Sequence, residues 1–171
     1  MTTVAYAAVT QSGLSFDRQL WMRPEIIPGL RKLTDAIHAE GAAAGIQLGH
    51  CGNMSHKSIC GCTPVGASSG FNLYSPTFVR GLRAGELPEM ARAYGKAVNL
   101  AREAGFDAVE IHAGHGYLIS QFLSPSTNHR KDEFGGSLKN RMRFMDMVME
   151  EVMKAAGSDM AVLVKMNMRD G

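Results

Sequence analysis

Residues 104–117, AGFDAVEIHAGHGY, decide how this chain is built. Gly105 closes a preceding helix, and the short apolar run 106–112 (FDAVEIH) that follows it predicts a strand. Two imidazoles and a phenol come directly after that strand. Working outward, the same alternation repeats. Upstream, residues 1–9 (MTTVAYAAV) predict a buried strand and residues 11–23 a loop. Pro24 and Pro28 flank a helix entry, Leu30, Leu33 and Ile37 recur at helical spacing, and Gly41 suits the helix end. Residues 45–49 (GIQLG) predict a second strand. Pro88 fits the first turn of the next helix, whose Met90, Tyr94, Ala97, Val98 and Ala101 form one apolar stripe. Downstream, Ser137 is a candidate N-cap for a helix with Met142, Met145, Val148 and Val152 inside. Gly157 ends it, and residues 161–167 (AVLVKMN) predict a fourth strand.

The order β-α-β-α-β-α-β implies a parallel sheet. The strands are apolar runs, as expected where both faces are covered. An open doubly wound sheet competes with a (β/α) barrel. No Gly-x-Gly-x-x-Gly follows a strand, so the dinucleotide fingerprint is missing, and there is no phosphate-binding P-loop. His50, His112, His115, Lys165 and Asn167 all fall at or just after predicted strand ends. In a barrel those ends converge on the face that carries active sites. The expectation is one α/β domain over residues 1–171, a partial (β/α)8 TIM barrel. The stretches 50–85 and 113–136 lack periodicity and are expected to be long irregular segments on that face, functional or disordered.

Composition narrows the function classes. With 45% hydrophobic and 20% charged residues the chain is an ordinary globular one. A net charge of +2, from 18 basic and 16 acidic residues, gives no reason to expect nucleic acid or a membrane surface as partner. No apolar run approaches the ~18 residues of a membrane span. Residues 1–10 lack the basic start of a signal peptide, which makes the cytoplasm the expected location. Three cysteines, Cys51, Cys60 and Cys62, argue against a disulfide framework. Twelve methionines are expected as adaptable core filler.

The sextet from His112 to Tyr117 carries the sharpest chemistry. Gly114 and Gly116 let the backbone turn tightly. The imidazoles could hold a carbonyl oxygen between two N–H donors while the phenol supplies a proton. A turn with incidental histidines is the competing reading. A zinc site would need a third ligand, from His50, His56 or the cysteines; Cys-x-Cys is not the usual spacing, and no metal is expected. Gln47 and Lys165 are polar within apolar strands. A buried lysine needs an anionic partner, either an interior salt bridge or a ligand that gains negative charge. The charged stretch 131–143 (KDEFGGSLKNRMR) reads first as a solvated helix entry; the alternative is that Arg141 or Arg143 pairs with Asp132 or Glu133 to pin the loop.

Residues 104–112 together with His115-Gly116-Tyr117-Leu118, Gln121-Phe122-Leu123-Ser124-Pro125, Asn128, Arg130, residues 132–137 (DEFGGS), Asn140-Arg141 and Arg143-Phe144 resemble the signature of the old yellow enzyme family. Residues 46–52 (IQLGHCG) are similar to that family's third-strand segment. The resemblance implies an FMN-binding (β/α)8 barrel. Such proteins take hydride from NADH or NADPH and reduce activated alkenes. It implies that His112 and His115 bind the substrate oxygen, that Tyr117 protonates the α-carbon, and that Gln47, Lys165 and His112 adjoin the flavin. Asn53, Cys51 and the Cys60–Cys62 loop depart from the family pattern. A full barrel of this type needs ~250 residues, so the chain is expected to hold strands two to five only. From this follow two expectations: self-association or pairing with a complementary half-barrel, and, as the alternative function, a catalytically incompetent fragment acting as an assembly partner.

Overall fold

The computed structural model describes residues 1–169. In chain order its elements are β1 (Thr2–Ala8), α1 (Ile27–Ala39), β2 (Ala44–Gly49), α2 (Lys57–Cys60), β3 (Val65–Gly66), β4 (Gly70–Asn72), β5 (Thr77–Gly81), α3 (Leu87–Glu103), β6 (Ala108–Ala113), α4 (Leu118–Leu123), α5 (Leu138–Ala156) and β7 (Ala161–Met166). β1, β2, β6 and β7 form one parallel sheet in that order, joined through α1, α3 and α5. Every strand therefore ends on the same edge of the sheet, which is what gathers the polar residues at 50, 112, 115 and 167.

Strand alternation divides the sheet into two unlike faces. Ala7, Ile46, Leu48, Val109 and Ile111 belong to the core beneath the helices, with Val4 and Val162 partly buried against it. Gln47, Glu110, Leu163 and Lys165 point the other way, Gln47 opposite Glu110 and His112 opposite Lys165. Apolar runs predicted two covered faces, but the helices cover one. Glu110 and His112 sit among hydrophobic neighbours in sequence, so the alternation is masked. Leu163, on that face, is accordingly 37% exposed and Lys165 is exposed beside it.

The helical faces are largely those predicted, with Leu30, Val148 and Val152 buried and Ile37 and Met145 packed against the core, while Leu33 and Met142 fall outside them. In α1, Ile27, Leu30 and Thr34 are buried while Leu33 is 42% exposed. Thr34 earns its inward position by donating its hydroxyl to the Ala104 carbonyl at 2.7 Å. In α5 the buried side chains are Phe144, Val148, Val152, Ala155 and Ala156, whereas Met142 is exposed and Met145 only partly buried. The α3 stripe is inward as predicted, with Met90 at its margin. Helices α3 and α5 meet at Gly95, where a Cβ would stand 3.0 Å from the Glu151 carbonyl. The Ser137 hydroxyl caps α5 by accepting from the Asn140 amide at 3.3 Å.

The two aperiodic stretches are ordered. The first holds α2 and a small sheet, β3–β5–β4; the second holds α4. Their elements are too short for periodicity to reveal, and side-chain hydrogen bonds hold them. Asn72 donates to the Asn53 carbonyl at 2.6 Å, and Ser69 accepts from the Gly81 amide at 2.8 Å. Neither Arg141 nor Arg143 pairs with Asp132. Arg130 does, through Nε at 2.9 Å and Nη2 at 2.5 Å, while Nη1 donates to the carbonyls of Ala67 and Leu82. Arg141 instead donates to the carbonyls of Leu123 and Gly136. No helix among the described residues is long and apolar enough to cross a membrane.

Candidate active site

His112 is the penultimate residue of β6 and 3% exposed; His115 and Tyr117 follow in the turn before α4. His115 holds a left-handed backbone, φ 55°, and Gly116 follows at φ 70°. That double left-handed step folds the sextet back so that its rings meet. Tyr117 stacks on His112 with centroids 4.7 Å apart, and His115 meets His112 edge-on at 4.9 Å.

The hydrogen bonds fix the protons. Gly114 N–H donates to His112 Nδ1 at 3.2 Å, so that nitrogen is an acceptor and the ring proton lies on Nε2. His112 Nε2–H then donates to His115 Nδ1 at 3.1 Å, which leaves His115 with its proton on Nε2. One of the two N–H donors expected of the sextet is thus engaged within the pair. Burial, then the neighbouring His115 and Lys165, pulls the His112 imidazole down to about 4. It is neutral at physiological pH, a hydrogen-bond donor rather than a cation.

Two site residues carried no functional reading in the sequence. Tyr6, from β1, sits edge-on to His112 at 5.9 Å and to Tyr117 at 5.2 Å, and its hydroxyl donates to the Gly13 carbonyl at 2.8 Å. It occupies space left by Gly49, where a Cβ would lie 2.6 Å from the Tyr6 ring. Gln121, buried on α4, ties the loop after β2 to the turn after β6. Its amide donates to Gly116 O at 2.6 Å and Asn53 Oδ1 at 2.9 Å, and accepts from Asn53 N–H at 3.3 Å. Its place in the family-like run from Gln121 to Pro125 was its signal in the sequence, without a role attached.

His50, at the end of β2, is fully buried. Gly52 N–H donates to its Nδ1 at 3.0 Å, and its Nε2–H donates to Ser12 Oγ at 3.0 Å. Burial pulls this imidazole from 6.5 to about 3. The unfolded chain takes up that proton near 6.5 and the folded chain only near 3, so between these values the unfolded state binds more protons. Stability from this group is whole above about 6.5 and declines as pH falls toward 3, with His112 acting in the same sense. The urea midpoint is expected to fall steadily between about pH 7 and about pH 4.5, and His50→Gln to flatten that slope.

Gln47 and Lys165 lie on the uncovered face of the sheet. Gln47 Nε2 donates to Glu110 Oε1, which leaves its own carbonyl oxygen free to accept. Lys165 is exposed, contrary to the burial expected of a lysine within an apolar strand, because β7 is an edge strand with no cover on that face. It forms no ion pair among the described residues. An amide acceptor and an unpaired ammonium on one face suit a flat heterocycle that bears an imide N–H and gains negative charge. Beside His115 opens a cleft of about 490 Å³, lined by Met54, Phe71, Leu73, Tyr74 and Gly116 among others. Among the described residues no three His, Cys, Asp or Glu side chains are gathered as metal ligands.

The sequence model of the NADH:flavin oxidoreductase / NADH oxidase family matches residues 1–171. This chain belongs to that family. Among curated relatives, the 4,4'-dithiodibutanoate disulfide reductase of Rhodococcus erythropolis is 42% identical over 171 residues, 100% of this chain and 42% of that protein. The NADPH dehydrogenase of Bacillus subtilis (strain 168) is 40% identical over 150 residues, 87% of this chain and 44% of its own. Among solved structures, the old yellow enzyme homologue from Zymomonas mobilis matches with TM-score 0.89 and 32% identity, over 96% of this chain and 49% of that one. Morphinone reductase in complex with tetrahydroNAD matches with TM-score 0.90 and 28% identity, over 96% and 50%. The chain spans about half the length of these relatives. Its four-stranded parallel sheet is part of an old-yellow-enzyme-type TIM barrel, and membership of the family implies FMN with NADH or NADPH.

Proposed function

We propose that this chain carries the substrate-activating and proton-donating side of an FMN-dependent oxidoreductase site that uses NADH or NADPH to reduce activated alkenes such as enones. The observation that supports it is the stack of Tyr117 on His112 with His115 hydrogen-bonded alongside, at the strand-end edge of the face that bears Gln47 and Lys165. FMN, when bound, supplies hydride to the β-carbon of the alkene. The substrate oxygen accepts N–H bonds from His112 and His115, replacing the hydrogen bond between the imidazoles. A neutral His112 suits this task, since it stabilises enolate-like charge as a donor without surrendering its proton. Tyr117 delivers its hydroxyl proton to the α-carbon. Gln47, through its free amide oxygen, and Lys165, through its positive charge, are the residues that would hold the flavin, and a cation at Lys165 would favour charge gained on reduction.

The test is an FMN titration of the chain followed by gel filtration monitored at the flavin absorbance. Flavin that co-elutes at one per chain and is bleached by NADPH is the expected result, with the Gln47→Leu, Lys165→Met pair weakening FMN at least tenfold, about 1.4 kcal/mol. No retained flavin would remove the reading for this chain. A second reading, that the chain acts as an assembly partner, is favoured by the outer edges of β1 and β7, unpaired among the described residues, and by Leu163, Val164 and Met166, 37%, 38% and 52% exposed. Open, apolar edges invite pairing with another chain, either a second copy or a complementary half-barrel. Sedimentation is expected to show species larger than the monomer at micromolar concentration, and a monodisperse monomer would count against this reading.

A further inference from the structure

We propose that Cys60 and Cys62 form a thiol–disulfide exchange site that reduces small disulfides and closes into an intramolecular disulfide. The two sulfurs lie 3.6 Å apart, and Cys60 Sγ also donates to the Cys62 carbonyl at 3.2 Å. A one-residue spacer keeps the two α-carbons within about 7 Å, and a turned spacer brings them inside the range of about 4.4–6.8 Å usual for a bridge. The spacer is Gly61, at φ 73° in the left-handed region, where its N–H caps α2 through the Lys57 carbonyl at 2.9 Å. That turn, rather than an extended spacer, is what brings both thiols to one side. The bond requires the sulfurs to close from 3.6 Å to about 2 Å.

The pair is asymmetric in the way exchange requires. Cys62 is exposed and Cys60 is 3% exposed, so an incoming disulfide meets Cys62 first. Burial, then the neighbouring Cys60 thiol, pushes the Cys62 thiol up to about 11, which the Arg80 guanidinium offsets only in part, so exchange is expected to quicken as pH rises toward that value. Cys62, on losing its proton, attacks one sulfur of R–S–S–R, forming a mixed disulfide and releasing the first thiolate. Cys60 then loses its proton and attacks Cys62 Sγ, forming the Cys60–Cys62 bond and releasing the second thiolate. The two protons pass to the two thiolates, so one disulfide becomes two thiols while the protein dithiol is oxidised. Held this close, Cys60 resolves the mixed disulfide faster than an external thiol can. Cys51 takes no part. It is buried and donates its thiol to the Leu14 carbonyl at 3.1 Å.

No step involves flavin, so the outcome is independent of the reading of His112, His115 and Tyr117. The reduced chain is incubated anaerobically with oxidised glutathione, quenched in acid, alkylated and mapped by mass spectrometry. Two glutathiones released per chain, residues 60 and 62 joined, and a free thiol at 51 are expected. Cys60→Ala should trap a glutathione adduct on Cys62, and Cys62→Ser should release none. A stable adduct on Cys62 of the unaltered chain, a bridge to Cys51, or no reaction would each overturn the proposal. The map of the unaltered chain decides even where a variant fails to fold.

Discussion

In the FMN-loaded protein, Tyr117→Phe is expected to lower kcat for an enone roughly 100- to 10,000-fold, the range typical of losing a positioned general acid. The substitution keeps the ring that stacks on His112 at 4.7 Å and meets Tyr6 at 5.2 Å, so the packing of the site survives. What is lost is the hydroxyl proton. Bleaching of bound FMN by NADPH should therefore stay at its original rate, while reoxidation by the enone becomes slow. Tyr6→Phe is the matching control. Its hydroxyl is spent on the Gly13 carbonyl at 2.8 Å, so its loss should cost stability more than turnover. A Tyr117→Phe enzyme with undiminished kcat would take the proton-donor role away from this residue.

The largest effect on stability is expected from Arg130→Ala, a loss of about 3–5 kcal/mol, as when one partner of a buried ion pair is removed. The Arg130 side chain is 8% exposed. It grips both oxygens of Asp132, donates to two carbonyls of the segment around β3 and β5, and lies 5.5 Å and 5.8 Å over the rings of Phe122 and Phe134. Its removal strands those carbonyls and leaves Asp132, whose carboxyl Arg130 holds below the usual range, without its counter-charge. Arg130→Lys should recover little, because an ammonium cannot reproduce the fork. The urea midpoint reads this directly. A shift worth less than about 1 kcal/mol would mean that the two loops are held together by other contacts, those of Gln121 first among them.

The order of the four main strands and three main helices was written in the sequence, because each signal is local. Glycines follow helices, Pro88 opens one, and short apolar runs make strands. The sextet from His112 to Tyr117 was equally legible, since its three rings lie within one turn of chain. Tyr6 was not legible as a site residue. Its place beside His112 depends on β1 and β6 flanking β2, and on Gly49 having no side chain. His50 was visible at a strand end, but its neutrality depends on complete burial and on Ser12, which a loop carries to it. Arg130 was chosen over Arg141 and Arg143 as the partner of Asp132 by the meeting of two stretches that show no periodicity. The sequence by itself therefore determined the alternating elements and the imidazole–phenol cluster, through residues close together in the chain. Tertiary structure alone decided which sheet face stayed uncovered, which groups were buried and so lost their charge, and which loops met, because burial and long-range pairing depend on what packs across the sheet.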